Sequence, residues 1–457
     1  MWHPFTQMRD WLKSEPMVIT SGKGSVLRDA QGREYLDANA SIWTNLHGHN
    51  HSRINAALHR QLKKIAHSSA LGFANEPASL LAEQLVRISN PKRSGLGKVS
   101  PYLGKVFFSD DGSTAMEVAL KLAYAYARRT GRKQPKFLSL DGAYHGDTAG
   151  AVSLGHIDLF HKAYSGLLFK SDKTPAPYCY RCPHNRAKPE RADARTYVKC
   201  NSECLGKLEQ QFAAQKKKAN PYTAFAFEPL MQGAAGMIAQ PEGWLRRATD
   251  VARGYGAQLI ADEVMTGFGR TGSNFACHKE GVQPDFLAVA KGLTGGYLPM
   301  AATLTTQNVF DAFLGRYDEF KTFFHGHSFT GNQLGASASL ASLEILQSQE
   351  SIRSRKILEQ TLREELAKLW ALPNIGDIRQ VGLVVGIELV RDWRTREPID
   401  SRERAGIRVC DAMARKGVLT RPVGNVIVLL PPYCTTQSQA RRMVRAVYEA
   451  CEETFGK

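Results

Sequence analysis

The sequence predicts an α/β protein with a mostly parallel sheet, and three stretches carry that expectation. Between Gln258 and Ala301, the apolar run QLIAD ends in the carboxylate Asp262, and FLAVA ends at the cation Lys291. Upstream, KFLSL leads into DGAYHGDT, and AFAF leads into EPLMQG. Short apolar runs bounded by glycine and polar residues read as buried strands of a parallel sheet. Ligands of such sheets bind outside the carboxyl ends of the strands. Tyr144, Glu228, Asp262 and Lys291 all fall at such ends.

A carboxylate and a lysine together at a sheet rim suit pyridoxal 5'-phosphate chemistry. That cofactor needs an amine to condense with its aldehyde and an acid to keep its ring nitrogen protonated, so that the ring accepts electrons. The alternative is an Asp262 that caps a strand and a Lys291 that is a solvated surface cation. The flanking residues decide between them. DEVMTGFGRTG followed by AKGLTGGYLPMA resembles the class III aminotransferases of pyridoxal phosphate fold type I, with the two motifs in that family's order and separation.

Taken from the N-terminus, WHPFTQM resembles the start of the biotin-pathway members of class III. GSVLRDAQGREYLDANA reads as two short strands around a turn at Gln31 and Gly32. Trp43 follows; core packing would explain it, but the resemblance implies a wall of the substrate pocket. His47, His49 and His51 alternate without a carboxylate or cysteine beside them in sequence, which favours a polar turn over a metal site. From about Ile54 the pattern becomes helical. At FFSDDGSTAMEV a strand end passes through Asp110 and Gly112 into a long helix that ends before Gly131. Gly112 allows close backbone approach and Ser113 adds a hydroxyl. The free N–H groups and dipole of a helix start bind phosphate, although a serine N-cap has the same appearance.

Tyr144 sits where a ring can lie over a pyridine ring, the role the family gives it. His145 is its neighbour, and Glu228 resembles a glutamate the family keeps near the cofactor. The insertion PYCYRCPHNRAKPERADARTYVKCNSEC spans about residues 175–206. Its Cys179, Cys182, Cys200 and Cys204 match a structural zinc site in outline, with a looser second pair. The family needs no metal for catalysis, and none is assigned. Gly326, His327 and Ser328 lie in the motif that, in this family, reaches the phosphate of the neighbouring subunit, which implies a homodimer. RQVGLVVGIELV and GVLTRPVGNVIVLLPPY read as strand pairs before a closing amphipathic helix. Arg421 ends a strand in TRPVG, the family's substrate-carboxylate position, and a planar bidentate cation suits that task.

The 457 residues leave room for more than one domain. The resemblance implies a large domain over residues 54–333 and a small α+β domain from residues 1–53 and 334–457. The net charge of +17 is spread along the chain without a nucleic-acid-binding motif, so no nucleic-acid partner is expected. No apolar run is long enough for a membrane span and the start lacks the pattern of a secretory signal, which points to the cytoplasm. The resemblance implies transamination of 8-amino-7-oxononanoate. S-adenosylmethionine is the expected donor, since most biotin-pathway members use it. L-lysine is the alternative, because Phe5 stands where S-adenosylmethionine users often carry Tyr, and Ile42 where a second Trp can precede Trp43. Two further readings stand beside this one: another class III ω-amino acid transaminase, against which WHPFTQM and Trp43 argue, and a basic binding protein with a decayed site, against which the intact Asp262 and Lys291 argue.

Overall fold

The computed structural model describes residues 1–91 and 101–456. Near the N-terminus β1 (Ile19–Lys23), β2 (Val26–Asp29) and β3 (Glu34–Asp37) form an antiparallel meander. The β2–β3 turn is the expected one. Gly32 takes φ +79°, and the amides of Gln31 and Arg33 donate to Asp29 Oδ1 at 3.0 and 2.9 Å. Strand β1 carries no such signal, because none of its residues is buried and no alternation marks it.

The middle of the chain supplies β4 (Leu103–Ser109), β5 (Phe137–Leu140), β6 (Asp172–Thr174) and β7 (Ala224–Phe227). A small hairpin of β8 (Met231–Gln232) and β9 (Ile238–Ala239) follows, then β10 (Gln258–Asp262), β11 (Phe286–Val289) and β12 (Ala301–Thr306). The 7-stranded central sheet has the order β4-β12-β11-β10-β7-β5-β6. Strand β12 runs against both neighbours and every other pair is parallel. Every residue of β5, β7, β11 and β12 is buried, as expected where helices cover both faces of the sheet. In the β10–β11 register Asp262 lies opposite Ala288. The parallel pairing therefore brings Asp262 and Lys291, two residues past the end of β11, to one rim.

The last third adds β13 (Ile375–Val381), β14 (Val384–Leu389), β15 (Val418–Leu419), β16 (Pro422–Val423) and β17 (Val426–Leu429). Four of them form an antiparallel sheet in the order β13-β14-β17-β16. Strand β15 instead pairs in parallel with β3, Val418 opposite Leu36 and Leu419 opposite Asp37. The two ends of the chain thus share a sheet. The closing helix Gln437–Phe455 starts with a capping box of Thr436 and Gln439 and buries Val444, Val447 and Cys451. One apolar core runs from Leu36 and Leu46 through Leu287 to Val385 and Val447. Among the described residues no helix is long and apolar enough to cross a membrane.

The cysteine-bearing insertion has neither helix nor strand from residue 175 to 202. Tyr180 and Ala194 form a small apolar cluster with Val390. Beside it Arg181 reaches Glu388 at 2.8 Å, and the fully buried Arg379 holds Glu388 at 2.6 Å and Asp377 at 3.1 Å. Two acids around one buried guanidinium, with a second arginine outside, satisfy charges that would be costly alone.

Candidate active site

The rim of the sheet opens into a cavity of about 450 Å³ whose wall includes Lys291, Asp262, Tyr144, Ser113, Glu228 and Trp43. Asp262 is buried, with Oδ1 accepting from the amide of Val264 at 3.0 Å. Its Oδ2 lies 2.8 Å from Nδ1 of His145, a side chain with no exposure. A carboxylate can only accept, so Nδ1 carries the proton and donates. His145 is therefore the partner that fixes Asp262. Position beside Tyr144 does not reveal this in the sequence; the pairing exists because β5 and β10 flank β7 in the sheet.

Lys291 leaves β11 with φ +41°, a conformation that costs a non-glycine residue about 1–3 kcal/mol. Its Nζ lies over the indole of Trp43, 5.1 Å from the ring centroid. Burial lowers its pKa, and the charges of Asp262 and Glu228 only partly oppose that. Glu228 is pushed up to about 7, first by burial and then by Asp262. Its oxygens accept from the amides of Tyr144 at 3.1 Å and Gly233 at 2.9 Å, so it ties the Tyr144 loop to the β8–β9 hairpin.

The helix Gly112–Arg129 points its N-terminus at the cavity. Asp111, not Ser113, is its N-cap, in a capping box with Thr114. The amides of Gly112 and Ser113 have no acceptor among the described residues, and Ser113 Oγ accepts from the amide of Asp147 at 3.0 Å, which leaves its own proton free to be donated. A Cβ on Gly112 would stand 2.6 Å from Val264. The glycine is thus required by packing against the Asp262 loop as well as by access to a ligand. The ring of Tyr144 faces the cavity while its hydroxyl donates to Asp147 Oδ2 at 2.7 Å. Burial, and then Asp147, push the Tyr144 phenol well above its usual range, so it stays protonated.

Trp43 comes from a segment the sequence does not announce. Ala40, Ser41, Ile42 and Trp43 have φ of +44°, +47°, +62° and +70°, a full left-handed turn without a glycine. Such residues cost roughly 1–2 kcal/mol each. The offsetting contacts are specific. Asp37 Oδ1 accepts from the amides of Asn39 and Ser41 at 3.2 and 3.1 Å, its Oδ2 from Ser41 Oγ at 3.0 Å, and His49 Nε2 stands 2.9 Å from the same Oδ2. Asn39 Oδ1 accepts from the indole N–H of Trp43 at 2.8 Å. A Cβ on Gly296 would stand 2.8 Å from Asn45 Cα, and one on Gly292 would stand 3.0 Å from Leu46, so these glycines let the lysine loop pack against the Trp43 segment.

The remaining expected residues lie elsewhere in the single chain. Gly326 and Ser328 are exposed and His327 half-buried, 3.8 Å from Asp110, and none of the three is on the cavity wall. Arg421 is exposed and also off the wall. It follows β15 by two residues, and Leu419 accepts from the amide of Ala38, so Arg421 stands at the end of the sheet that carries the left-handed turn. Phe5 is exposed and meets Phe160 edge-on at 5.3 Å. His49 does find a carboxylate, Asp37, while His47 bonds Ser342 at 3.0 Å; the alternating histidines form a polar turn. The eight cysteines are all free thiols. Cys179 is pushed up to about 12 by burial and then by Cys204, Cys200 and Cys182, which places the four thiols in one neighbourhood. Among the described residues no three His, Cys, Asp or Glu are grouped so as to hold a metal ion.

A half-buried lysine at the rim of a mostly parallel sheet, an aspartate anchored behind it and an open helix N-terminus thus meet in one cavity. Residues 8–451 match the model of the class III aminotransferases, and the chain belongs to that family. An adenosylmethionine-8-amino-7-oxononanoate aminotransferase of Geobacter sulfurreducens is 46% identical over 457 residues, 100% of this chain and 96% of that one. The crystal structure of the enzyme of that name from Methanocaldococcus jannaschii superimposes with a TM-score of 0.89 at 40% identity, over 99% of this chain and 97% of the other. An amine transaminase from an uncultivated Pseudomonas species, solved in its PLP-bound form, gives a TM-score of 0.88 at 32% identity over 99% and 98%. The chain is a transaminase with the fold of these enzymes.

Proposed function

We propose that this transaminase carries pyridoxal 5'-phosphate and transfers an amino group from S-adenosylmethionine to 8-amino-7-oxononanoate, giving 7,8-diaminononanoate for biotin synthesis. The observation that carries the reading is the Lys291–Asp262–His145 arrangement, together with relatives of that name over the whole chain. The residues fit the cofactor. The unpaired amides of Gly112 and Ser113, with the Ser113 hydroxyl, suit its phosphate, the buried carboxylate of Asp262 suits a protonated ring nitrogen, and Tyr144 suits a ring face. When bound, the cofactor supplies an aldehyde for the amines and an electron sink for the carbon that loses its proton.

The chain's own groups do the rest. A Lys291 amine whose pKa is lowered by burial keeps a larger neutral fraction near neutral pH than a free lysine, so Nζ can take a proton from the substrate carbon and return it. His145 donates to Asp262 Oδ2 and helps to keep that carboxylate charged and oriented. Trp43 closes one side of the cavity and supplies an apolar wall for an aliphatic chain. Arg421 is assigned to the substrate carboxylate, and Gly326, His327 and Ser328 to the phosphate site of the second subunit of a homodimer. In the single chain Gly326 and Ser328 are exposed and His327 is half-buried, which leaves that motif accessible to a second copy. The β3–β15 pairing supports a small domain of residues 1–53 and 334–457 beside a large one of 54–333. Eight free thiols suit a reducing cytoplasm.

L-lysine remains the second reading for the donor, favoured by Phe5, which offers no hydroxyl and lies off the cavity wall. Half-reactions without acceptor decide it. S-adenosylmethionine should discharge the visible absorption of the bound cofactor at lower concentration than L-lysine does. Discharge by lysine alone would reverse the assignment. A protein without visible absorption, and without turnover of 8-amino-7-oxononanoate with any donor, would sink the reading.

A further inference from the structure

One device stands outside the proposed catalytic roles: the left-handed turn Ala40–Trp43 and its polar holders. The turn forms its own left-handed ladder, with Trp43 N donating to Asn39 O at 2.8 Å and Thr44 N to Ala40 O at 2.9 Å. Residues with a Cβ do not remain in this conformation without outside contacts. Asp37 and Asn39 are both buried and supply them, each through its side-chain oxygens. Asp37 belongs to β3, pairs with Leu419 and is backed by His49, so its position is fixed from two sides. Among the described residues Asn39 makes the one hydrogen bond to the indole itself. Other neighbours of Trp43 include the Lys291 Nζ, 5.1 Å from the ring centroid, Gly233, where a Cβ would stand 3.1 Å from the indole, and the apolar core.

We propose that Asn39, braced by Asp37, is a positioning residue that sets the tilt of the Trp43 indole and through it the substrate reach of the cavity. The proposal rests on the transaminase reading for its substrate, but not for its geometry. An indole held at its N–H cannot rotate about its bond to the chain without losing that hydrogen bond. Its face stays turned to Lys291 while substrates enter and leave. Without the hold, the ring can swing toward the space where an aliphatic chain must lie. Binding of the acceptor should therefore suffer more than the proton transfers at Lys291.

The test combines kinetics with a readout on the protein before cofactor is added. The protein has six tryptophans, so labelling with 15N-tryptophan gives six indole N–H signals, and the Trp43 signal is the one lost in Trp43→Phe. In Asn39→Ala that signal should shift and its exchange with solvent should quicken at least about tenfold, about 1.4 kcal/mol of lost protection. In Asn39→Asp, whose carboxylate accepts at the same reach, protection should return. With cofactor added, Asn39→Ala should raise the KM for 8-amino-7-oxononanoate about tenfold while kcat stays within about threefold, and Asn39→Asp should restore KM. Adding Asn39→Ala to Trp43→Phe should change KM no further. An unmoved Trp43 signal, or an unchanged KM in Asn39→Ala, overturns the proposal, as does a full additional effect in the Trp43→Phe background. If Asn39→Ala does not fold, Asn39→Asp decides alone: loss of the protected signal in that variant overturns the proposal. Absence of wild-type turnover of 8-amino-7-oxononanoate would refute the proposed substrate and leave the resonance arm standing.

Discussion

The hold of His145 on Asp262 gives the sharpest prediction. His145→Leu removes the Nδ1–H donor, which stands 2.8 Å from Oδ2, and leaves Oδ1 with the amide of Val264 at 3.0 Å. The buried carboxylate thus keeps one anchor and loses the other. A hydrogen bond to a charged group contributes roughly 1.5–3 kcal/mol. At about 1.4 kcal/mol per tenfold, kcat/KM should fall by between about 10-fold and 150-fold. His145→Asn can bring an amide N–H near the position of Nδ1 and should recover most of the loss. The assay is the initial rate with 8-amino-7-oxononanoate, normalised to bound cofactor by visible absorption, with the melting temperature as control. Two results would refute the reasoning: a His145→Leu enzyme within about twofold of wild type, or an asparagine variant no better than the leucine one.

Lys291→Ala should fold and lose all turnover if the amine has its proposed role as base and cofactor tether; measurable steady-state activity contradicts this. Asp262→Asn should lose at least about tenfold in rate, about 1.4 kcal/mol, because a neutral amide cannot support a protonated ring nitrogen; a smaller loss would remove that role. Glu263 is buried, accepts from the amides of Ala276 and Cys277 at 2.9 and 2.8 Å, and is pushed up to about 7 by burial. Below the unfolded value of 4.5 both states hold the proton, and between there and 7 only the native state does, so stability falls as pH rises through that window. The fall is on the order of 3 kcal/mol, and urea titrations of Glu263→Gln across that range should show a flatter slope; an unchanged slope would contradict the burial argument. Sedimentation should find a dimer as the active species, and a fully active monomer would contradict the role given to Gly326, His327 and Ser328.

The central sheet and the acid–lysine pair were legible because parallel strands impose a simple rule. Their apolar runs are continuous, and titratable side chains collect where those runs stop, as at Asp262, Glu228 and Lys291, which line one cavity. What stayed hidden depends on contacts distant in sequence. His145 and Asp262 are 117 residues apart, and nothing local marks the histidine as a donor to that carboxylate. Gly112 reads as a ligand-contact glycine, yet Val264 sits where its Cβ would go. The letters ASIW contain no glycine, and a β-branched isoleucine argues against positive φ; the side chains of Asp37, Asn39 and His49 that hold the turn show only in the fold. Strand β1 lacks a buried face altogether, so no pattern could report it.

The pairing of β3 with β15 has a consequence for biosynthesis. Leu36 and Asp37 leave the ribosome early, but Val418 and Leu419, their sheet partners, are about 380 residues behind, a delay of roughly 20–80 s at ordinary elongation rates. Arg270 spans a similar gap, donating to the carbonyls of Asn45 at 3.0 Å and Pro431 at 2.7 Å. Through that interval the nascent chain carries an open edge at β3, the strand that leads into the Trp43 segment. Nonsense mutations that remove only the last 40 residues would therefore leave β3, near the amino terminus, without its parallel partner. Chaperone demand during translation should track the length of that wait rather than the stability of the finished enzyme.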